Sequence, residues 1–249
     1  MDQEKELEEY SQTKLSPRRR RARRMIRYFF VFLILAVNVL IWWRVLFSDR
    51  IPGDLKKLTL TPALTEAYAR DGAVDMFLQN HEEIIWEGKT RGYFWVPRAL
   101  FIRNAGEVQL LIRYNNSTLS HIAEDFSLPS PPSRDSDVVD VTLVVRQSVT
   151  TEREGETLSE IIETRLQPSA DVLHARKNMY NYRKFVFDGI DFDKVTEIVV
   201  QFYYRGAVDY NAAPYGELLI YDNRPDTLSR DVALSRSEER ALAAAVNEK

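Results

Sequence analysis

The chain has no cysteine. That absence removes disulfides, zinc–thiolate sites, thiol nucleophiles and thiol redox switches from consideration. It also favours a bacterial exported protein over a eukaryotic extracellular one, whose small domains commonly carry disulfides. Histidine is scarce too: His81, His121 and His174 stand far apart and form no H-E-x-x-H pair. No G-x-S-x-G, P-loop or dinucleotide fingerprint is present. Ser11–Lys14 matches S-x-x-K by chance, without companion motifs. Glycine and proline are sparse, at 9 and 10 of 249 residues, while 45% of the chain is hydrophobic, so a folded core is expected and no cofactor is called for.

The net charge of −3 conceals a division. Through Arg50 there are eleven Lys plus Arg against six Asp plus Glu, giving +5; the remainder carries 23 against 31, giving −8. The positive end is concentrated in Arg18, Arg19, Arg20, Arg21, Arg23, Arg24 and Arg27, directly ahead of an apolar run. Met25 to Phe47 is 23 residues long, and Tyr28 to Trp43 holds no charge. A helix needs about 20 residues to cross roughly 30 Å of hydrocarbon. Arg27 and Arg44 lie where their stems snorkel to headgroups, and Trp42 and Trp43 suit the interfacial aromatic belt. The exit "WWRVLFSDR" is bulky and charged, unlike a small-residue cleavage site, so the run reads as a retained anchor rather than a signal peptide. Arg23-Arg24 make only a poor twin-arginine signal. The positive-inside rule places the N-terminus in the cytoplasm and the remainder outside. The arginines are thus topology determinants facing anionic lipid, and no nucleic-acid partner is expected.

The expected organisation is a disordered basic cytoplasmic tail (1–24), a transmembrane helix (25–47), a juxtamembrane linker (48–57), a β-rich extracytoplasmic domain (58–228) and a C-terminal helical tail (229–249). "TPALTEAYARDG" reads as a helix capped by Thr61, opened by Pro62 and closed at Gly72. Three segments then alternate with period two: Val108, Leu110, Ile112 and Tyr114 against Glu107, Gln109 and Arg113; Val139, Val141, Leu143 and Val145 against Asp140, Thr142 and Arg146; and Ile198, Val200, Phe202 and Tyr204 against Glu197, Gln201 and Tyr203. Each predicts an antiparallel strand with one buried and one wet face. Less regular candidates are "EEIIWEG", "GYFWVPR", "ALFIRN", "SEIIETRLQ", "NYRKFVFD" and "GELLIYD". Many strands without intervening helices predict a mainly β, antiparallel β-sandwich or jelly-roll domain. Ser235 and Glu238 form a capping box for a short terminal helix, which either packs or frays.

Two stretches rise above this background. Asp188, Asp191 and Asp193, with Asp222 and Asp226, offer oxygen ligands, but the EF-hand spacing is missing and turn chemistry is the better explanation, so no metal is assigned. In "FYYRGAVDYNAAPYG", the ligand-binding candidates are Tyr203, Arg205, Asp209, Tyr210, Asn211 and Tyr215. Tyrosines beside amide and carboxylate groups stack on sugars or grip proteins. Asn115 and Asn116 head overlapping glycosylation sequons, relevant only in a eukaryotic secretory pathway. The reading is therefore a single-pass, non-catalytic envelope protein that binds a protein or glycan partner. The alternatives are an anchored hydrolase with two facing carboxylates, such as a glycosidase, and an accessory subunit whose helix contacts run through Asn38.

Overall fold

A computed structural model describes residues 17–46, 51, 53–79, 94–125, 127, 129–131, 139–153, 156–177, 179–204, 214–224 and 229–247. The chain divides into two compact units, Met1–Asp49 and Arg50–Lys249. In the first, helix α1 (Pro17–Leu46) is continuous through the arginines and the apolar run. Pro17 begins it, as its fixed φ and missing N–H permit at a first helical turn. Its Met25–Trp43 stretch has 19 residues with mean hydropathy 2.2, long and apolar enough to cross a membrane, and none of it is buried against other protein. The Asn38 side chain donates one N–H to the Ile34 carbonyl (2.8 Å) within the helix.

The second unit is mainly β. Its helices are α2 (Pro62–Asp71), α3 (Asn116–Asp125) and α4 (Arg236–Asn247). Its strands are β1 (Met76–Gln79), β2 (Trp95–Ile102), β3 (Glu107–Asn115), β4 (Val139–Arg153), β5 (Glu156–Leu166), β6 (Ala170–Lys177), β7 (Tyr180–Phe187), β8 (Val195–Tyr204), β9 (Gly216–Asp222) and β10 (Ser229–Asp231). They form a six-stranded sheet ordered β10-β1-β2-β3-β7-β6 and a four-stranded sheet ordered β5-β4-β8-β9. All pairings are antiparallel.

The alternation explains the shared core. Val108, Leu110, Ile112 and Tyr114 from β3 meet Val141, Leu143, Val145, Ile198, Val200 and Phe202 from β4 and β8 in one buried cluster. Rings join the two sheets: Phe94 stacks on Phe202 at 5.0 Å, and Tyr221 lies 5.5 Å from Phe101. "GYFWVPR" and "ALFIRN" are one strand rather than two, with Pro97 at an irregularity in the β2–β3 register, where its missing N–H is tolerated. "EEIIWEG" lies outside the described residues.

Gly106 has a left-handed backbone (φ 62°) between β2 and β3, and an added Cβ would sit 2.8 Å from the Ile190 carbonyl oxygen. Only glycine meets both demands there.

The expectation of one wet face per strand is corrected by β3, which is buried on both faces. Glu107, Gln109 and Arg113 are covered rather than solvated, and on β4 and β8 so are Thr142, Gln201 and Tyr203. The cover on β3 is the segment 54–61, expected as linker in its first part. Leu55 packs with Leu111 and Tyr182. Gln109 exchanges two hydrogen bonds with Thr59, donating at 2.7 Å and accepting at 2.8 Å, so its amide acts like a neighbouring strand.

Helices α2 and α4 cover another part of this outer face, with Leu64 and Leu242 buried against Leu100 and Ile102. The terminal helix therefore packs. Ser235 and Glu238 form its capping box, the Glu238 carboxylate accepting from the Ser235 N–H at 3.0 Å. Residues 229–231, expected in the tail, are strand β10 paired to β1.

Candidate functional site

The tyrosine-rich stretch divides. Tyr203 lies on the outer face of the four-stranded sheet, but it is buried and donates its hydroxyl to Gln201 (2.8 Å). Burial raises its pKa. Gln201 in turn donates to Glu217 (2.7 Å), so the face is a satisfied hydrogen-bond chain. Tyr215 packs against the shared core and donates to Asp125 on α3 at 2.6 Å. Arg205, Asp209, Tyr210 and Asn211 lie outside the described residues. Of the topology residues, Arg21, Arg27, Trp42 and Trp43 are exposed on α1; Arg18, Arg19, Arg20, Arg23 and Arg24 occupy its first turns.

The acidic turn is locally engaged. Asp191 accepts a hydrogen bond from the Lys194 N–H (3.1 Å) and pairs with the Lys194 ammonium at 2.8 Å. Among the described residues no group of three or more His, Asp or Glu side chains is placed to hold a metal ion. His121 lies 3.6 Å from Glu124 on α3, and His174 lies on β6.

Two other places carry more chemistry, and neither has a motif. On the outer face of the six-stranded sheet the Trp95 and Tyr180 rings meet edge to face at 6.2 Å, and the Arg113 guanidinium lies against both, 5.4 Å from the first and 4.6 Å from the second, a cation–π cluster across β2, β3 and β7. Trp95 and Tyr180 are half-buried.

The second place is the margin of the segment 54–61. There Arg98 donates to the Lys56 carbonyl, and Lys184 donates to the Lys57 carbonyl (2.6 Å). Burial, then the Arg98 charge, push the Lys184 ammonium down to about 8. Burial likewise lowers Arg98, whose Nε is buried without a hydrogen-bond partner among the described residues. Nearby Glu107 accepts from Thr61 and from Gln109 (2.7 Å), and burial holds its pKa above the usual carboxylate value. Glu238 accepts from the Leu58 N–H at 2.8 Å. Burial alone would raise its pKa, but the Ser235 and Leu58 hydrogen bonds prevail and lower it.

Beside these groups a cleft of about 420 Å³ opens between the ends of β1, β2 and β10. Lys56, Arg98 and Arg230 line it with a single carboxylate, Asp231; Ile51, Leu78, Pro97 and Val232 supply its apolar wall. The facing pair of carboxylates that a glycosidase would need is not in this cleft. Sequence reasoning missed it because its residues come from four separate segments, none of which stands out alone.

No protein family, curated protein or solved structure matches the chain.

Proposed function

We propose that this chain is a single-pass membrane protein with its N-terminus in the cytoplasm, holding a β-sandwich in the cell envelope that binds a protein or glycan partner without catalysis. The observation that carries the reading is α1: 19 consecutive residues of high hydropathy with none buried against protein. Leaving such a surface in water would cost on the order of 25 cal/mol for each Å² of apolar area, which a bilayer relieves. The arginines ahead of it orient the span. The shared core of two antiparallel sheets supports a sandwich, with the chain passing between sheets after β3, β5, β7 and β9. Much of the domain's buried polar chemistry is occupied in holding its own segments together, which favours a binding surface over a reacting centre. The 202–216 stretch and the Trp95–Arg113–Tyr180 cluster are the places where a partner would rest.

Because the native chain has no cysteine, single thiols report topology without background. Ser237→Cys in intact cells is expected to react with a membrane-impermeant maleimide, and Ser11→Cys only after lysis; the reverse pattern would refute the orientation. Extraction by alkaline carbonate would refute the anchor. For the partner, affinity purification of the full chain from detergent is compared with Tyr210→Ala and Trp95→Ala. A partner retained undiminished by both variants would clear both surfaces.

A further inference from the structure

We propose that the cleft between β1, β2 and β10 is a binding site for a phosphate-bearing ligand, its anion held by Lys56, Arg98 and Arg230 and its carbon body by the apolar wall. The cleft's volume of about 420 Å³ is that of a small-ligand site rather than a surface dimple. Three of its side chains are cationic against one carboxylate, Asp231.

The strand register places the cations together. Arg230 is opposite Leu78, and Leu78 opposite Leu100, so Arg98 lies two strands away and one same-face step along. Spacings of about 4.8 Å between strands and about 6.8 Å per same-face step put the two backbones roughly 12 Å apart, within the joint reach of two arginine side chains.

The second observation is the set of groups around Arg98. Arg98, partly withdrawn from water, and Lys184, buried, each hydrogen-bond a backbone carbonyl. Glu238 attracts both and Glu107 attracts Lys184, but neither cation makes a direct ion pair among the described residues. A smaller cavity lined in part by Lys57, Gln109 and Lys184 shares Lys56 and Arg98 with the cleft. Guanidinium groups match phosphate oxygens in geometry and charge. The apolar wall of Ile51, Leu78 and Val232 suits the glycerol and first methylenes of a lipid headgroup, and equally the carbon skeleton of a soluble phosphate ester.

The test is isothermal titration of the full chain in a non-ionic detergent at constant ionic strength. The probes are inorganic phosphate, glycerol 3-phosphate and dihexanoyl phosphatidylglycerol. Saturable binding of at least one probe is expected. It should weaken by about tenfold or more in Lys56→Gln/Arg230→Gln, the range for losing charge-assisted hydrogen bonds. Neither of those side chains makes a hydrogen bond or ion pair among the described residues, and an unchanged melting temperature confirms the fold. If the lipid binds about tenfold tighter than glycerol 3-phosphate, the ligand is a headgroup; equal affinities identify a soluble ester. No saturable binding of any probe up to about 10 mM overturns the proposal, as does an affinity unchanged in the double variant. The measurement needs neither the membrane orientation nor the 202–216 loop, so its failure is separable from failure of the anchored-module reading.

Discussion

Replacing Lys184 by methionine tests the account of the segment 54–61 most directly. In the folded protein this ammonium is buried and its pKa falls from 10.5 to about 8. Below about pH 8 both folded and unfolded chains are protonated, and the fold carries the full cost of the buried charge. Between about pH 8 and 10.5 the unfolded chain still binds the proton while the folded chain has released it, so stability rises with pH across that window. The difference of 2.5 pH units (10.5 − 8) corresponds to about 3.5 kcal/mol at about 1.4 kcal/mol per unit. Methionine removes this charge while keeping the stem that lies against the segment. It also forfeits the hydrogen bond to the Lys57 carbonyl, at about 1 to 3 kcal/mol. The two effects nearly cancel near neutrality, leaving the variant within about 2 kcal/mol of the native chain. The diagnostic is the pH dependence. Urea unfolding of both proteins in detergent, followed by circular dichroism, should show a native curve that gains on the variant between about pH 8 and 10.5. Other titrating groups cancel in the difference. Parallel curves through that window would refute the burial of a charged Lys184.

The remaining predictions concern other parts of the frame. Gly106→Ala combines a left-handed backbone with a Cβ directed at the Ile190 carbonyl, and should cost about 2 to 4 kcal/mol in urea unfolding; a loss under about 0.5 kcal/mol would show the turn yields easily. Glu238→Ala removes both the cap of α4 and the bond to Leu58, so about 1 to 3 kcal/mol should be lost and amide exchange at Leu58 and Thr59 should quicken. The native Glu238 has a lowered pKa, so its contribution holds at neutral pH and fades as pH falls through that lowered value; the variant should be less acid-sensitive. Leu242→Ala should cost about 2 to 4 kcal/mol, since this side chain is fully buried among Leu64, Leu100 and Ile102; a smaller loss would mean that α4 is weakly held.

What could be read from the chain follows the range of the signals. Helix α2 was legible residue by residue: Thr61 accepts from the Leu64 N–H, Pro62 stands in the first turn, and Gly72 closes it at φ 68°. The core faces of β3, β4 and β8 were legible because local alternation reports one buried side. The opposite faces were not, because their cover comes from far along the chain: Gln109 is satisfied by Thr59, and Leu100 is covered by Leu242. Polar residues there resemble a wet face until their partners are known. Helix α3 went unpredicted, although Asn115 accepts from the Thr118 N–H (3.0 Å) in an N-cap that looks like a sequon in sequence. Strands β1 and β10 are four and three residues long, too short for any period to register. Of the tyrosine candidates, the two described members, Tyr203 and Tyr215, hydrogen-bond within the fold through partners that the sequence does not announce.

The contact between Leu58 and Glu238 spans 180 residues of chain. During synthesis the 54–61 segment would emerge early, without its final partner. At roughly 5 to 20 residues per second, about 10 to 40 s pass before Glu238 is made. For that interval the outer face of the six-stranded sheet lacks α4, and Leu100 and Ile102 are covered by α2 alone. Loss of the last dozen residues would therefore leave a chain that cannot finish closing, a natural substrate for quality-control proteolysis.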